Sequence, residues 1–341
     1  MKHYNFLFLM ADQIRTATLE GMGDGIQTPN LRRLMDESVL FTRASCTCPL
    51  CTPSRASLAT GRYPSRCGVP IHDAVLPPEQ PTFYQALRDS GYRVGIVGKT
   101  DLHKRDTYCG VKGDLPSMYH YGFTDPVETE GKMNSAWYGT NPDGSIYPMG
   151  PYQKYLMDKD PELMRTLEKD YRSYMRQKPR YHAQPSVLPD EVFLDTFIGE
   201  KSLEWLNEHD NTGAPWHLTV SFAGPHNPWD PPKESADRQR AKVGGNGNDQ
   251  HAACNRPCTA ADAGAVVVLE VRAQRHRAKQ QQQTTCKIDN IRDKRSDCRY
   301  HFHVIFLLSV YVSDSPSSSS MLLISCTFFI KAAKLFSARL S

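Results

Sequence analysis

Long apolar runs are missing from this chain of 341 residues. The apolar stretches at 304–312 and 321–330 are about half the ~20 residues a membrane helix needs, so no spanning segment is expected. The start, Met1-Lys2-His3-Tyr4-Asn5, leads into a short apolar run that ends before Asp12. That run is too short for a secretory core and lacks a small-residue cleavage site, which leaves the cytoplasm as the default expectation. A strong charge of one sign is missing too. The net charge of +4 arises late: residues 241–341 hold 14 Lys+Arg against 7 Asp+Glu, leaving 27 against 30 in residues 1–240. With a slightly acidic body, neither a nucleic-acid nor a membrane partner is expected. Nor is there a disulfide framework. Of ten cysteines, the five before residue 241 crowd into Cys46, Cys48, Cys51, Cys67 and Cys109, unlike the spread of a small secreted scaffold, and the redox compartment stays open. The trio Cys46-x-Cys48-x-x-Cys51 has no second cluster nearby to complete a zinc site. Tryptophan and proline, finally, are scarce at the end. All four tryptophans and 22 of 24 prolines precede residue 241. The remainder carries glutamine and serine runs without strand and helix alternation, so 238–341 is read as an atypical tail, disordered or an aberrant translation.

What is present is a repeating order of strand, helix and chemically active residue. Residues 5–11 form a continuous apolar run, the pattern of a strand buried on both faces of a parallel sheet, and Asp12 and Gln13 sit at its carboxyl end. Thr28-Pro29-Asn30-Leu31 opens an amphipathic helix, and Val39-Leu40-Phe41 is a short extended piece. A helix over 82–90 stops at Gly91 and feeds a strand over 93–98, after which comes Lys99. A long helix from 190 to 209, with Val192, Phe193, Phe197, Leu203 and Leu206 as its apolar set, feeds a strand over 216–222 that His226 closes. In open parallel sheets ligands bind beyond the carboxyl ends of strands, so Asp12, Lys99 and His226 are expected to converge. Residues 110–188 are rich in Gly, Pro and Tyr and read as an insertion over that site. The expectation is an α/β domain over 1–237 with a mostly parallel central sheet flanked by helices.

The most informative stretch is Cys51-Thr52-Pro53-Ser54-Arg55, followed by Ala56-Ser57-Leu58-Ala59-Thr60-Gly61-Arg62. Thr52 is expected to cap a helix with Pro53 at its first position. The thiol would then face unpaired backbone N–H groups, with Arg55 adding a fixed positive charge: a nucleophile in an anion-binding pocket. This segment resembles the signature of the type I sulfatases, Cys-x-Pro-x-Arg followed by a small-residue helix and Gly-Arg. The resemblance implies the alkaline-phosphatase type of α/β fold and hydrolysis of sulfate monoesters. It also implies that Cys51 is oxidised to formylglycine (3-oxoalanine) by a formylglycine-generating enzyme, and that a calcium ion is bound by Asp12, Gln13 and position 51. In this likeness Arg55 holds the nucleophile and Lys99 binds sulfate. His226, in Pro225-His226-Asn227-Pro228, contacts the substrate, a sulfated small molecule or glycan.

Two departures stand out. Gln13 replaces a carboxylate, which makes the cation site one charge weaker. Asp101, in Gly98-Lys99-Thr100-Asp101-Leu102-His103, stands where a histidine that helps the leaving group is usual. Asp101 is therefore expected on the substrate side, with His103 as the available imidazole. The resemblance covers about 4–237, roughly half to two thirds of a typical family member, and the sequence contains no Asp-His-Gly or Asp-Asn-Gly for the later metal ligands. Two alternatives follow: a phosphate or phosphonate ester hydrolase on the same scaffold, or a truncated, non-catalytic homologue. Arg55→Ala is expected to abolish turnover of an aryl sulfate without unfolding the domain, read by activity and thermal melting; unchanged activity would remove Arg55 from the mechanism.

Overall fold

The order of elements follows the apolar pattern closely. The computed structural model describes residues 4–14, 18–19, 21–22, 26–36, 38–103, 108–176, 183–210, 212–243, 265–271, 304–315 and 318–320. Strand β1 (Asn5–Asp12) is followed by α1 (Pro29–Asp36), β2 (Ser38–Ala44), α2 (Cys51–Thr60), α3 (Phe83–Asp89) and β3 (Arg93–Gly98). Then come α4 (Pro116–His120), β4 (Asp125–Glu128), the small hairpin β5 (Gly139–Thr140) and β6 (Ile146–Tyr147), α5 (Pro151–Lys159) and α6 (Pro161–Arg176). The described chain continues through α7 (Leu194–His209), β7 (Trp216–Phe222), α8 (Lys233–Val243), β8 (Ala265–Val271), β9 (Val304–Ser315) and β10 (Ser318–Ser320).

The main sheet runs β2-β8-β9-β1-β7-β3-β4, with β10 paired to β9. Its site-bearing part, β1-β7-β3-β4, is parallel throughout. Antiparallel pairs join β9 to β1 and β8 to β2. The boundary expected at 237 falls inside α8, and the backbone of β8 and β9 pairs into the same sheet. Residues 110–188, read as an insertion, supply β4 to the sheet edge and α5 and α6 to the core.

Alternation along the strands sorts side chains onto two layers. Phe8 and Met10 of β1 pack with Leu58 of α2, while Leu7 and Leu9 pack toward the layer built from α5, α6 and α7. Likewise Val94 and Ile96 join the layer of α2 and α3, and Val97 the other. On β1 every second residue is fully buried rather than all of them, so the strand is less enclosed than its apolar run suggested. The helix over 190–209 begins as a short 3-10 turn at Asp190–Val192 before α7. Leu203, expected in its apolar set, is 62% exposed: position 203 falls on the outer side of a helix whose inner side carries Phe197, Ile198 and Trp205.

Gly95 lets α7 reach the sheet. A Cβ there would lie 2.4 Å from the Trp205 ring. Burying an indole removes roughly 200 Å² from water, about 5 kcal/mol of transfer free energy as an upper value. That exceeds the ~1 kcal/mol a strand glycine costs and the ~1–3 kcal/mol for the buried Trp205 Nε1, which has no hydrogen-bond partner. Gly95→Ala is expected to destabilise the fold by about 2 kcal/mol through this overlap, measured as a lower urea midpoint. Trp205→Phe in the same chain should recover part of the loss; no recovery would mean the strain lies elsewhere.

Candidate active site

Three parallel strands deliver the site. β1 ends at Asp12, β3 runs out through Gly98 into Lys99, and β7 ends beside Ala223 and Gly224, so their carboxyl ends meet on one edge. Gly98 has φ +109°, and a Cβ there would strike the Ser221 carbonyl. Only glycine tolerates that turn, which brings Lys99 N–H to Ser221 O at 3.1 Å. The β7 end is tied down twice. Asp195 of α7 accepts from Ala223 N at 2.9 Å and Gly224 N at 3.1 Å, and Asp12 N donates to Gly224 O at 3.0 Å. His226 is thereby held beside Asp12. Its Nδ1 donates to the Asn227 carbonyl at 2.7 Å, and Asn227 N donates to Gln13 Oε1 at 3.4 Å.

Cys51 enters from α2, and here the structure corrects the cap. Leu50 is the N-cap, in extended backbone and with no side-chain cap bond. Cys51 is the first helical residue, Pro53 the third, and Ser54 N closes the first turn on Leu50 O at 3.0 Å. Anywhere in a first turn proline gives up no intrahelical bond, so it does not fix the start. Thr52 lies inside the helix, its hydroxyl buried without a hydrogen-bond partner. The small residues Ala56, Ser57, Ala59 and Thr60 let this helix lie close to the sheet, burying Arg55 to 3% exposure.

Asp12 is the centre of the charges. Lys99 Nζ lies 2.5 Å from its Oδ2, Arg55 Nη2 3.6 Å from the same oxygen, and Cys51 Sγ 3.5 Å from Oδ1. Lys99 also meets Asp101 Oδ2 at 3.1 Å. Arg55 Nη1 donates to the Lys99 carbonyl at 2.6 Å and to Ser221 Oγ at 2.9 Å. Burial alone would raise the Asp12 pKa; Lys99, Arg55 and His226 overcome it and hold it at about 2. Burial would strip Lys99 of its proton, but Asp101 and Asp12 push its pKa up, so it stays charged. The Cys51 thiol moves upward, first by burial and then through Asp12 and Asp101, with Lys99 and Arg55 offsetting only part. Burial thus favours the protonated form of the Cys51 thiol.

A family model described as Sulfatase matches residues 4–293. The chain belongs to the sulfatase family. Over 161 residues it is 32% identical to an ulvan-active sulfatase of Formosa agariphila, covering 46% of this chain and 30% of that protein. Over 231 residues it is 28% identical to a choline-sulfatase of Rhizobium meliloti, covering 66% of this chain and 39% of that one. The chain thus spans well under half the length of these curated relatives. Among solved structures, a phosphonate monoester hydrolase from Silicibacter pomeroyi superposes with a TM-score of 0.47 at 21% identity, over 68% of this chain and 43% of that one.

At this edge of the sheet, Asp12, Cys51, Arg55, Lys99, Asp101 and His226 converge as a cluster. Gln13, in the left-handed region at φ +64°, turns to Asn227. His103 Nε2 lies 3.8 Å from Glu128 Oε2. Glu128, which also accepts from the Thr100 hydroxyl, was not expected from the sequence, nor were Ser221 and Asp195. A carboxylate at the end of the fourth parallel strand was the available signal for Glu128. Beside Cys51, Arg55 Nε and Nη2 are buried without a hydrogen-bond partner, orphan donors that suit a hydroxylated position 51. Calcium fits less well. Asp12 and Gln13 are the hard oxygen donors these expectations supply, or three with an oxygen at 51, where calcium takes six to eight. Among the described residues the calcium shell is therefore incomplete.

No described helix is long and apolar enough to cross a membrane. Burial, eased by the Thr100 bond, raises the Glu128 carboxyl from 4.5 to about 7. Its folded pKa lies above the unfolded one, so its contribution is complete below about pH 4.5 and is lost as pH rises through 7. Glu128→Gln is accordingly expected to flatten the fall in melting temperature between pH 5 and pH 8. An unchanged slope would show that Glu128 does not titrate in that range.

Proposed function

We propose that residues 1–237 carry the nucleophile, anion-binding and proton-donor groups of a sulfate-monoester hydrolase. The observation that carries this is Cys51 in the first turn of α2, 3.5 Å from the buried Asp12 carboxylate and flanked by Arg55 and Lys99. A protonated, buried thiol has no role there as a nucleophile, whereas the orphan Arg55 donors suit oxygen at that position. Conversion of Cys51 to formylglycine by a generating enzyme would supply it, and the chemistry such a hydrated aldehyde would bring is a hydroxyl nucleophile toward sulfur at position 51, beside Asp12 and Arg55.

The remaining roles belong to the chain's own side chains. Lys99 and His226 gather the sulfate oxygens, with Asp101 steering Lys99. Arg55 orients position 51 through its free N–H groups while Nη1 stays fixed on Lys99 O and Ser221 Oγ. His103, beside Glu128, is the proton donor for the leaving alcohol. Calcium, which the family resemblance implies, would meet Asp12, Gln13 and position 51, and no step above depends on it. The substrate is a sulfated small molecule or glycan; the relatives named above act on ulvan and on choline sulfate, by their names.

The test is turnover of matched aryl sulfate, phosphate and phosphonate esters by protein whose position 51 is shown by mass spectrometry to be an aldehyde. The sulfate ester should have the highest kcat/KM, and Lys99→Ala should lower it by ~10²–10³. Preference for the phosphonate would move the chain to the alternative ester class. No hydrolysis with the aldehyde in place would establish a non-catalytic homologue.

A further inference from the structure

We propose that the unconverted chain is a zinc protein, with Asp12, Cys51 and His226 as three ligands and a fourth position open to water or a small anion. One ligand atom from each, a carboxylate oxygen, Sγ and a ring nitrogen, all lie within 4.8 Å of one another. Tetrahedral zinc, with bonds of ~2.0–2.3 Å, sets neighbouring ligand atoms roughly 3.3–3.8 Å apart. The Cys51 Sγ to Asp12 Oδ1 distance of 3.5 Å is already at that spacing, and the histidine ring needs to close by no more than about 1.5 Å. The three residues come from separate elements, a strand end, a helix first turn and a loop, and the backbone bond Asp12 N to Gly224 O ties the strand end to the loop.

The surrounding bonds are those of a metal site. His226 donates Nδ1–H to the Asn227 carbonyl, a backbone bond of the kind that orients a ligating imidazole. Lys99 donates to Asp12 Oδ2 at 2.5 Å, while Oδ1 is the oxygen nearer the sulfur. The carboxylate can therefore bind metal through one oxygen and keep its lysine on the other.

Donor type then selects the ion. Sulfur, imidazole and a single carboxylate suit zinc, whereas calcium wants oxygen alone. Binding exchanges the thiol proton for metal, giving a zinc thiolate and one released proton. Conversion of Cys51 to an aldehyde removes the soft ligand, so zinc distinguishes unconverted from converted protein. This goes beyond the hydrolase reading and stands without it.

The experiment titrates the full chain, verified by mass spectrometry to carry Cys51 as a cysteine, with cobalt(II) and then zinc. One equivalent of cobalt should give tetrahedral visible bands and a sulfur-to-cobalt charge-transfer band, both removed by zinc. Cys51→Ala should abolish the charge-transfer band, and His226→Ala should weaken binding at least ~10-fold. The double variant Cys46→Ala, Cys48→Ala should retain it. Circular dichroism checks that each variant folds, and Cys51→Ser serves if Cys51→Ala does not. Absence of the charge-transfer band at stoichiometric cobalt, or a band that survives loss of Cys51, overturns the proposal. Protein bearing the aldehyde at 51 should show no such band, whether or not it hydrolyses sulfate esters.

Discussion

A carboxylate buried to 1% exposure at the end of a central strand is the constraint around which the site is arranged. An ion such as Asp12 taken out of water costs several kcal/mol unless partners surround it. Lys99 and Arg55 do so, but each is itself buried and must be neutralised in turn. Lys99 therefore also reaches Asp101, and Arg55 fixes its Nη1 on the Lys99 carbonyl and Ser221. No member can be removed alone. Arg55→Ala, taken from the sequence as a purely functional change, would leave Asp12 short of a counter-charge, so the geometry couples its mechanistic role to stability.

The same pairing means that the cluster would read differently with sulfur and with oxygen at position 51. With sulfur at position 51, the thiol proton is held tightly and the donors available to a cation are mixed. With oxygen there, the open N–H groups of Arg55 and the Asp12 carboxylate face a hard, hydroxylated centre. A change of chemistry at that one side chain would alter which cations and which nucleophile the pocket accommodates.

Much of this was legible in the sequence, for identifiable reasons. The strands at 93–98 and 216–222 were readable to the residue because apolar runs end there in glycine or in charged and aromatic punctuation. Convergence of Asp12, Lys99 and His226 followed from the rule for parallel sheets. The start of α2 was misread because Thr and Pro are also tolerated at its second and third positions. Glu128 and Ser221 escaped because their importance lies in whom they meet across the sheet, Thr100 and His103 in one case and Arg55 in the other. The order β2-β8-β9-β1 was equally hidden, since pairing partners distant in sequence leave no local pattern.

The fastening of Ala223 and Gly224 to Asp195 gives α7 a mechanical character. Asp195 sits in the first turn of that helix, and Trp205, seated over Gly95, lies ten residues further on, about 15 Å along the axis. The indole works as a detent that sets how far the helix can slide over β3, and the carboxylate at the other end works as the arm that carries the loop of His226. The placement of an imidazole at the pocket is thus gauged by a ring-and-glycine fit on the far side of the sheet.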